Sequence, residues 1–198
     1  MENGDLSHYL RSSGDACLKK SLVLDVIQGL VHLHSQRPPV IHADIKPANI
    51  FISADGRACI GDYGLSYIKN SAQANGATTK RHALGKTLQY SAPELFDDEH
   101  VPMSRSRDIY AFGCVLYEIY SGKPPYAGLR EGQILKAIMF DKQLQKPNII
   151  DDNLWRIIQD CRAFKALDRP SANDVLRMLQ EPSVSQNEFR PTLHQIPA

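Results

Sequence analysis

Val40-Ile41-His42-Ala43-Asp44-Ile45-Lys46-Pro47-Ala48-Asn49-Ile50-Phe51 sets a carboxylate, an ammonium and a carboxamide close together, directly ahead of a short apolar strand. Such a set suits phosphoryl transfer. A carboxylate at Asp44 can orient a hydroxyl nucleophile, a cation at Lys46 can meet developing phosphate charge, and the amide oxygen of Asn49 can bind a hard metal ion.

Working outward, Ile50-Phe51-Ile52-Ser53, a turn at Ala54-Asp55-Gly56, and Ala58-Cys59-Ile60-Gly61 spell a small β-hairpin. Asp62-Tyr63-Gly64 follows at once and brings a second carboxylate beside the first. A polar stretch then leads to Ala92-Pro93-Glu94. Asp108-Ile109-Tyr110-Ala111-Phe112-Gly113 opens a helix that is apolar almost all round, and Arg169-Pro170 stands near the end.

In this order the segments resemble the C-terminal lobe of the eukaryotic-type protein-kinase domain, from about Met1 to Gln180. The resemblance implies that Asp44 orients the substrate hydroxyl, Lys46 stabilises the transferring phosphoryl group, and Asn49 and Asp62 hold magnesium against the phosphates of ATP. Lys46 leans toward the Ser/Thr kinases. Asp5 aligns with an acid that bonds the ribose in some members, and equally with the N-cap of a first short helix. Phe51 matches the apolar floor of the adenine pocket, or serves the core alone. Thr87 matches a threonine packed near the catalytic Asp and Lys, although Lys86 separates it from Gly85 where the family has glycine directly before it. His42 and Tyr63 match internal spine positions, Asp108 an anchor for the catalytic-loop backbone, and Glu94 with Arg169 a buried ion pair.

The sequence departs from the family at further points. Ala43 replaces the usual arginine, which in many kinases pairs with an activation-loop phosphate; alanine cannot, so control through that contact is not expected. Ser71, Thr78 and Thr79 lie in the polar middle of the activation segment, as phosphoacceptors or as ordinary loop hydroxyls. Ala48 stands where kinases of basic substrates often carry glutamate. Glu118 either supplies an acid there or lies on a helix surface. No G-x-G-x-x-G occurs, and Met1-Glu2-Asn3-Gly4-Asp5-Leu6 resembles the hinge between the lobes. The expectation is a lobe without its β-rich N-terminal partner, exposing apolar surface where an N-lobe or another protein would sit.

Composition agrees with one soluble domain: 198 residues, 42% hydrophobic, net charge +1, which points to neither a nucleic-acid nor a membrane surface. Cys17, Cys59, Cys114 and Cys161 lack metal or disulfide spacing and are expected as buried free thiols. No signal peptide or spanning segment is read, so the expected location is cytoplasmic or nuclear. Periodicity predicts helices over 5–11, from Leu18 to Leu33, over 107–120, 131–140 and 152–164, and from Ser171 to Leu179, with His32 and His34 on the surface or end of the second. The fold class is mainly α (α+β), a helical bundle whose small hairpin carries the catalytic and metal-binding loops. Residues 181–198 are expected to be a disordered tail.

Two functions follow. One is a Ser/Thr protein kinase moving the γ-phosphate of ATP to a protein hydroxyl, present here without its Gly-rich loop and ATP-anchoring lysine, so that the chain alone is very weak or inactive. The other is a kinase-derived binding or scaffold protein without catalysis. Its motivation is that the phosphates lose much of their cradle when no lid excludes water.

Overall fold

Leu22, Val23, Val26, Ile27 and Leu30 recur at helical spacing and are all buried to 1% exposure or less. Each such side chain contributes about 1.5–3 kcal/mol through burial, and together they fix the long helix α2, Ala16–Ser35, as the floor of the fold. The computed structural model describes residues 3–12, 16–62, 67–68, 88–96 and 104–181. Ahead of α2 lies α1, Leu6–Ser12. After it come β1 (Val40–Ile41), β2 (Ile50–Ile52), β3 (Ala58–Ile60) and β4 (Tyr67–Ile68), then α3 (Arg105–Ser121), α4 (Glu131–Met139), α5 (Asp152–Cys161) and α6 (Ala172–Gln180). The architecture is mainly helical with a small antiparallel hairpin, as expected.

Strands β2 and β3 form the expected hairpin, with Phe51 opposite Cys59. A second antiparallel pair, Val40 with Ile68 and Ile41 with Tyr67, joins β1 to β4. Two-residue strands carry no periodicity, so this pair has no signature in the sequence. The helix ends follow local chemistry. Gly122, at φ 72, closes α3 and returns its N–H to the Glu118 carbonyl at 2.9 Å, a left-handed cap that glycine adopts without steric cost. The Asp151 carboxylate accepts from Leu154 N at 2.8 Å to start α5. Ser171 and Asp174 cap α6 reciprocally.

Helix α5 stops at Cys161, short of the predicted Phe164. Its end tightens into i→i−3 bonds, Arg162 N to Gln159 O at 3.1 Å and Ala163 N to Asp160 O at 3.3 Å, and the carbonyls of Ala163 and Phe164 accept from the Arg169 guanidinium at 2.8 and 3.0 Å.

Helix α3 runs through the centre, buried from Arg107 to Leu116, with α2 and α5 against it and α6 packed on both. Asp25 on α2 fixes the hairpin to this frame. Its carboxylate accepts from Arg57 Nε at 2.9 Å and from Ala58 N at 3.0 Å.

Two expectations are corrected by packing. Only Cys114 and Cys161 are buried, whereas Cys17 and Cys59 are exposed. Strand alternation accounts for Cys59, since its neighbour Ala58 takes the inward position. Burial also pushes the Cys114 and Cys161 thiols above their usual range. A disulfide reagent such as Ellman's is therefore expected to label two thiols of the folded protein quickly and the other two only in denaturant. Four fast thiols would contradict this packing.

His34 is corrected only in part. It stands at the end of α2, one of its two expected places, but is 7% exposed, with its Nε2 meeting the buried Asp108 at 2.8 Å.

Candidate active site

The loop between β1 and β2 carries Asp44, Lys46 and Asn49, and three groups hold it. Asp108, near the start of α3 and 1% exposed, accepts from His42 N at 2.9 Å and from Ala43 N at 2.8 Å. The 3-10 turn Pro47–Asn49 begins on a proline, which pre-sets its backbone. His42, fully buried, takes the Asp44 amide on Nδ1 at 3.3 Å and gives its Nε2 proton to Gly61 O at 3.0 Å. Those two bonds place the ring proton on Nε2 and engage both ring nitrogens within the loop and the hairpin.

Ala43 sits at φ 67 and Asp62 at φ 59. Left-handed backbone costs most non-glycine residues about 1–2 kcal/mol, and such positions persist only where surrounding bonds hold them. Here one directly precedes Asp44 and the other is Asp62 itself.

Within the loop, Lys46 Nζ donates to Asp44 Oδ2 at 2.7 Å, and Asn49 Nδ2 donates to the same oxygen and to the Asp44 carbonyl, both at 2.8 Å. No described residue donates to Oδ1 of Asp44. With its NH2 committed to Asp44, the Asn49 side chain offers only Oδ1 to a further partner. Asp62 is exposed and follows Gly61, whose N–H bonds the Asn49 carbonyl at 2.8 Å. The hairpin thus brings Asn49 and Asp62 to one end, and two oxygen donors there suit a hard divalent cation. A Cβ on Gly61 would lie 2.8 Å from the Phe51 ring carbons Cδ2 and Cε2, so only glycine lets that ring close over the chain entering Asp62.

The N-terminal segment runs antiparallel beside β2. Ile52 N donates to Gly4 O at 2.9 Å, and Asp5 bridges Phe51. Asp5 and the partly buried Phe51 are therefore neighbours. The Asp5 carboxylate takes His8 N at 2.9 Å, so it does cap α1; one oxygen remains for another donor.

At the far side of the site, Glu94 and Arg169 form a two-pronged pair, Nη1 to Oε1 and Nη2 to Oε2, each at 2.7 Å. Glu118 is half-buried: it accepts from the Tyr90 hydroxyl, and burial raises its carboxyl above the usual range. Tyr63, Gly64 and Thr87, the hydroxyls of Ser71, Thr78 and Thr79, and the tail from 182 lie outside the described residues. Sequence reasoning missed His34, whose link to Asp108 spans 74 positions. The large apolar side chains most open to solvent among the described residues are Phe140, Ile149 and Leu167. None belongs to the hinge-like segment, the hairpin or the Asp44 loop. No described helix is long and apolar enough to cross a membrane.

Comparison with known proteins speaks to the family of the chain. A family model described as protein tyrosine and serine/threonine kinase matches residues 1–179. Serine/threonine-protein kinase CTR1 of Arabidopsis thaliana is 29% identical over 186 residues, covering 91% of this chain and 22% of that protein. Serine/threonine-protein kinase Wnk of Drosophila melanogaster is 31% identical over 214 residues, 96% of this chain and 8% of that protein. Receptor-interacting serine/threonine-protein kinase 3 of Rattus norvegicus is 28% identical over 187 residues, 88% and 38%. The chain thus spans less than half the length of each of these relatives. With the family's landmarks in order and a family match over nearly its whole length, the chain belongs to the protein tyrosine and serine/threonine kinases.

Proposed function

We propose that residues 1–180 form the C-terminal lobe of a Ser/Thr protein kinase that moves the γ-phosphoryl group of ATP to a protein hydroxyl. The observation that carries this is the Asp44 carboxylate: one oxygen is held by Lys46 and Asn49, and no described residue donates to the other. That free oxygen would accept the proton of a serine or threonine hydroxyl and aim the hydroxyl at phosphorus. Lys46, already beside Asp44, would meet negative charge gathering on the transferred group. Asn49 Oδ1 and the Asp62 carboxylate would hold Mg2+, which supplies charge neutralisation between phosphate oxygens when bound. Phe51, with Asp5 next to it, would receive the adenosine end. The Ser/Thr preference draws on Lys46 and on relatives named as serine/threonine kinases.

The phosphates need a cover to exclude water, which an N-terminal lobe or a partner protein seated over this face would supply. The substrates are proteins rather than nucleic acids or membranes, and the location is cytoplasmic or nuclear.

The test is phosphate transfer from γ-labelled ATP, made with the natural full-length protein and with the 198-residue chain. Asp62→Asn keeps a side chain that tolerates positive φ but removes the charge. It is expected to raise the Mg2+ concentration needed for half-maximal nucleotide binding by about tenfold or more. An unchanged Mg2+ dependence would sink the metal assignment. Nucleotide binding without transfer in every form would favour the scaffold instead.

A further inference from the structure

Arg162, at the end of α5, is 7% exposed, yet no carboxylate among the described residues pairs with it. Its Cζ lies 5.4 Å from the Tyr110 ring centroid and 5.7 Å from that of Tyr126. Nη2 donates to the Tyr126 hydroxyl at 2.8 Å and, at 3.4 Å, reaches that of Tyr110, while Nε has no hydrogen-bond partner. Burial holds both tyrosine hydroxyls above their usual range, so neither supplies an anion. The Tyr110 ring also has the Arg169 Cζ at 4.9 Å. A buried cation with an orphaned N–H, beside a ring that already carries another cation, is a poor source of stability. Its effect is on the position of Tyr126.

Helix α4 packs chiefly on the short turn Leu88–Tyr90 rather than on α3 or α5. Tyr126 reaches it from both ends. The Tyr126 backbone, at φ 58, starts the turn into α4 by accepting from Leu129 N at 3.1 Å. Its ring packs against Leu88, Ile134 and Ile138, and its hydroxyl donates to the Lys142 carbonyl at 3.1 Å, just past the end of α4. That donation uses the only hydroxyl proton and leaves the oxygen lone pairs for Arg162.

We infer that Arg162 is a positioning residue: through the Tyr126 hydroxyl it holds α4 and the Leu88 turn to the frame of α3 and α5. Leu88 directly follows Thr87 in the sequence, so this platform would receive the protein substrate and not ATP. That consequence rests on the kinase reading above; the structural half does not.

Arg162→Met keeps the stem lying over Gly113, where a Cβ would come within 2.8 Å of Arg162 Cγ, and removes the charge. In this variant the Ile134 and Ile138 amides are expected to exchange about tenfold faster than the rise at Val26 and Ile27 of α2 explains. The urea midpoint should stay within about a tenth of the parent's. Tyr126→Phe keeps the ring but not the hydroxyl. It should speed the same amides, and adding Arg162→Met to it should change nothing further, since both act through one bond. In the natural full-length protein, with casein as acceptor, Arg162→Met should raise the KM for casein about threefold to tenfold while kcat and the KM for ATP stay unchanged. Exchange at Ile134 and Ile138 that rises only in step with α2, effects of the two substitutions that add, or a large fall in urea midpoint would overturn the inference. An unchanged KM for casein would overturn its catalytic half. If Asp44→Asn transfers as fast as the parent, the kinase reading fails, yet the exchange result still decides the role of Arg162.

Discussion

Glu94→Ala is expected to destabilise the fold by about 3–5 kcal/mol, seen as a lower urea midpoint at unchanged slope. The Arg169 side chain is fully buried, and every N–H of its guanidinium is placed. Nη1 reaches Glu94 Oε1 and Ser106 O, Nη2 reaches Glu94 Oε2 and Phe164 O, and Nε reaches Ala163 O. Its Cζ also lies 4.9 Å from the Tyr110 ring centroid. Removing Glu94 leaves this charge in place without its counter-ion. It also removes the carboxylate 4.0 Å from Arg107 Nε, a guanidinium whose charged form burial already disfavours. Glu94→Gln should cost nearly as much, because its amide turns an NH2 toward a guanidinium that can only donate. Pairing Glu94→Ala with Arg169→Met should recover part of the loss, since removing both buried charges costs less than stranding one. A single-variant effect below about 1 kcal/mol would show the pair to be no better than a surface bridge.

That ion pair shows what a sequence can carry. Glu94 and Arg169 are 75 positions apart, and only ordered resemblance to a family joins them before the fold is seen. The helices were legible for a different reason. Leu22, Val26 and Leu30 repeat on one face, and Gly122 and Ser171 are local signals, so α2, α3 and α6 fall within two residues of expectation. The hairpin was legible from its turn.

What escaped depends on tertiary partners. His34 lies in a helix end rich in polar residues, and nothing local distinguishes it from exposed His32; Asp108 alone makes its burial favourable. Glu118 was undecided because its partner, the Tyr90 hydroxyl, arrives from another segment. The missed β1–β4 pair has the same origin: Val40 and Ile41 find Ile68 and Tyr67 across the intervening hairpin. At the site, the sequence placed Asp44, Lys46 and Asn49 in one loop. It could not say which Asp44 oxygen they occupy, and that detail decides the chemistry of the next substitution.

Asp44→Asn is expected to lower kcat for phosphate transfer by about 10²–10⁴-fold, or roughly 3–5 kcal/mol of barrier, in the natural full-length protein. The amide is nearly the shape of the carboxylate, so packing is kept and stability should change little. Its orientation, however, is forced. Lys46 Nζ and Asn49 Nδ2 both donate to Oδ2, so the new amide must turn its oxygen toward them. Its NH2 then faces the position of the substrate hydroxyl and presents a donor where an acceptor is required. Lys46 also loses its charged neighbour, which leaves its attraction to the transferring phosphoryl group intact or stronger. The KM for ATP should accordingly stay within about threefold, because the loss falls on a contact made in the transition state rather than on nucleotide binding. Asp44→Ala should slow transfer comparably while loosening Asn49, seen as faster exchange of the Gly61 amide that bonds its carbonyl. Transfer within tenfold of the parent in both variants would remove Asp44 from the reaction and, with it, the chemical basis for calling this lobe catalytic.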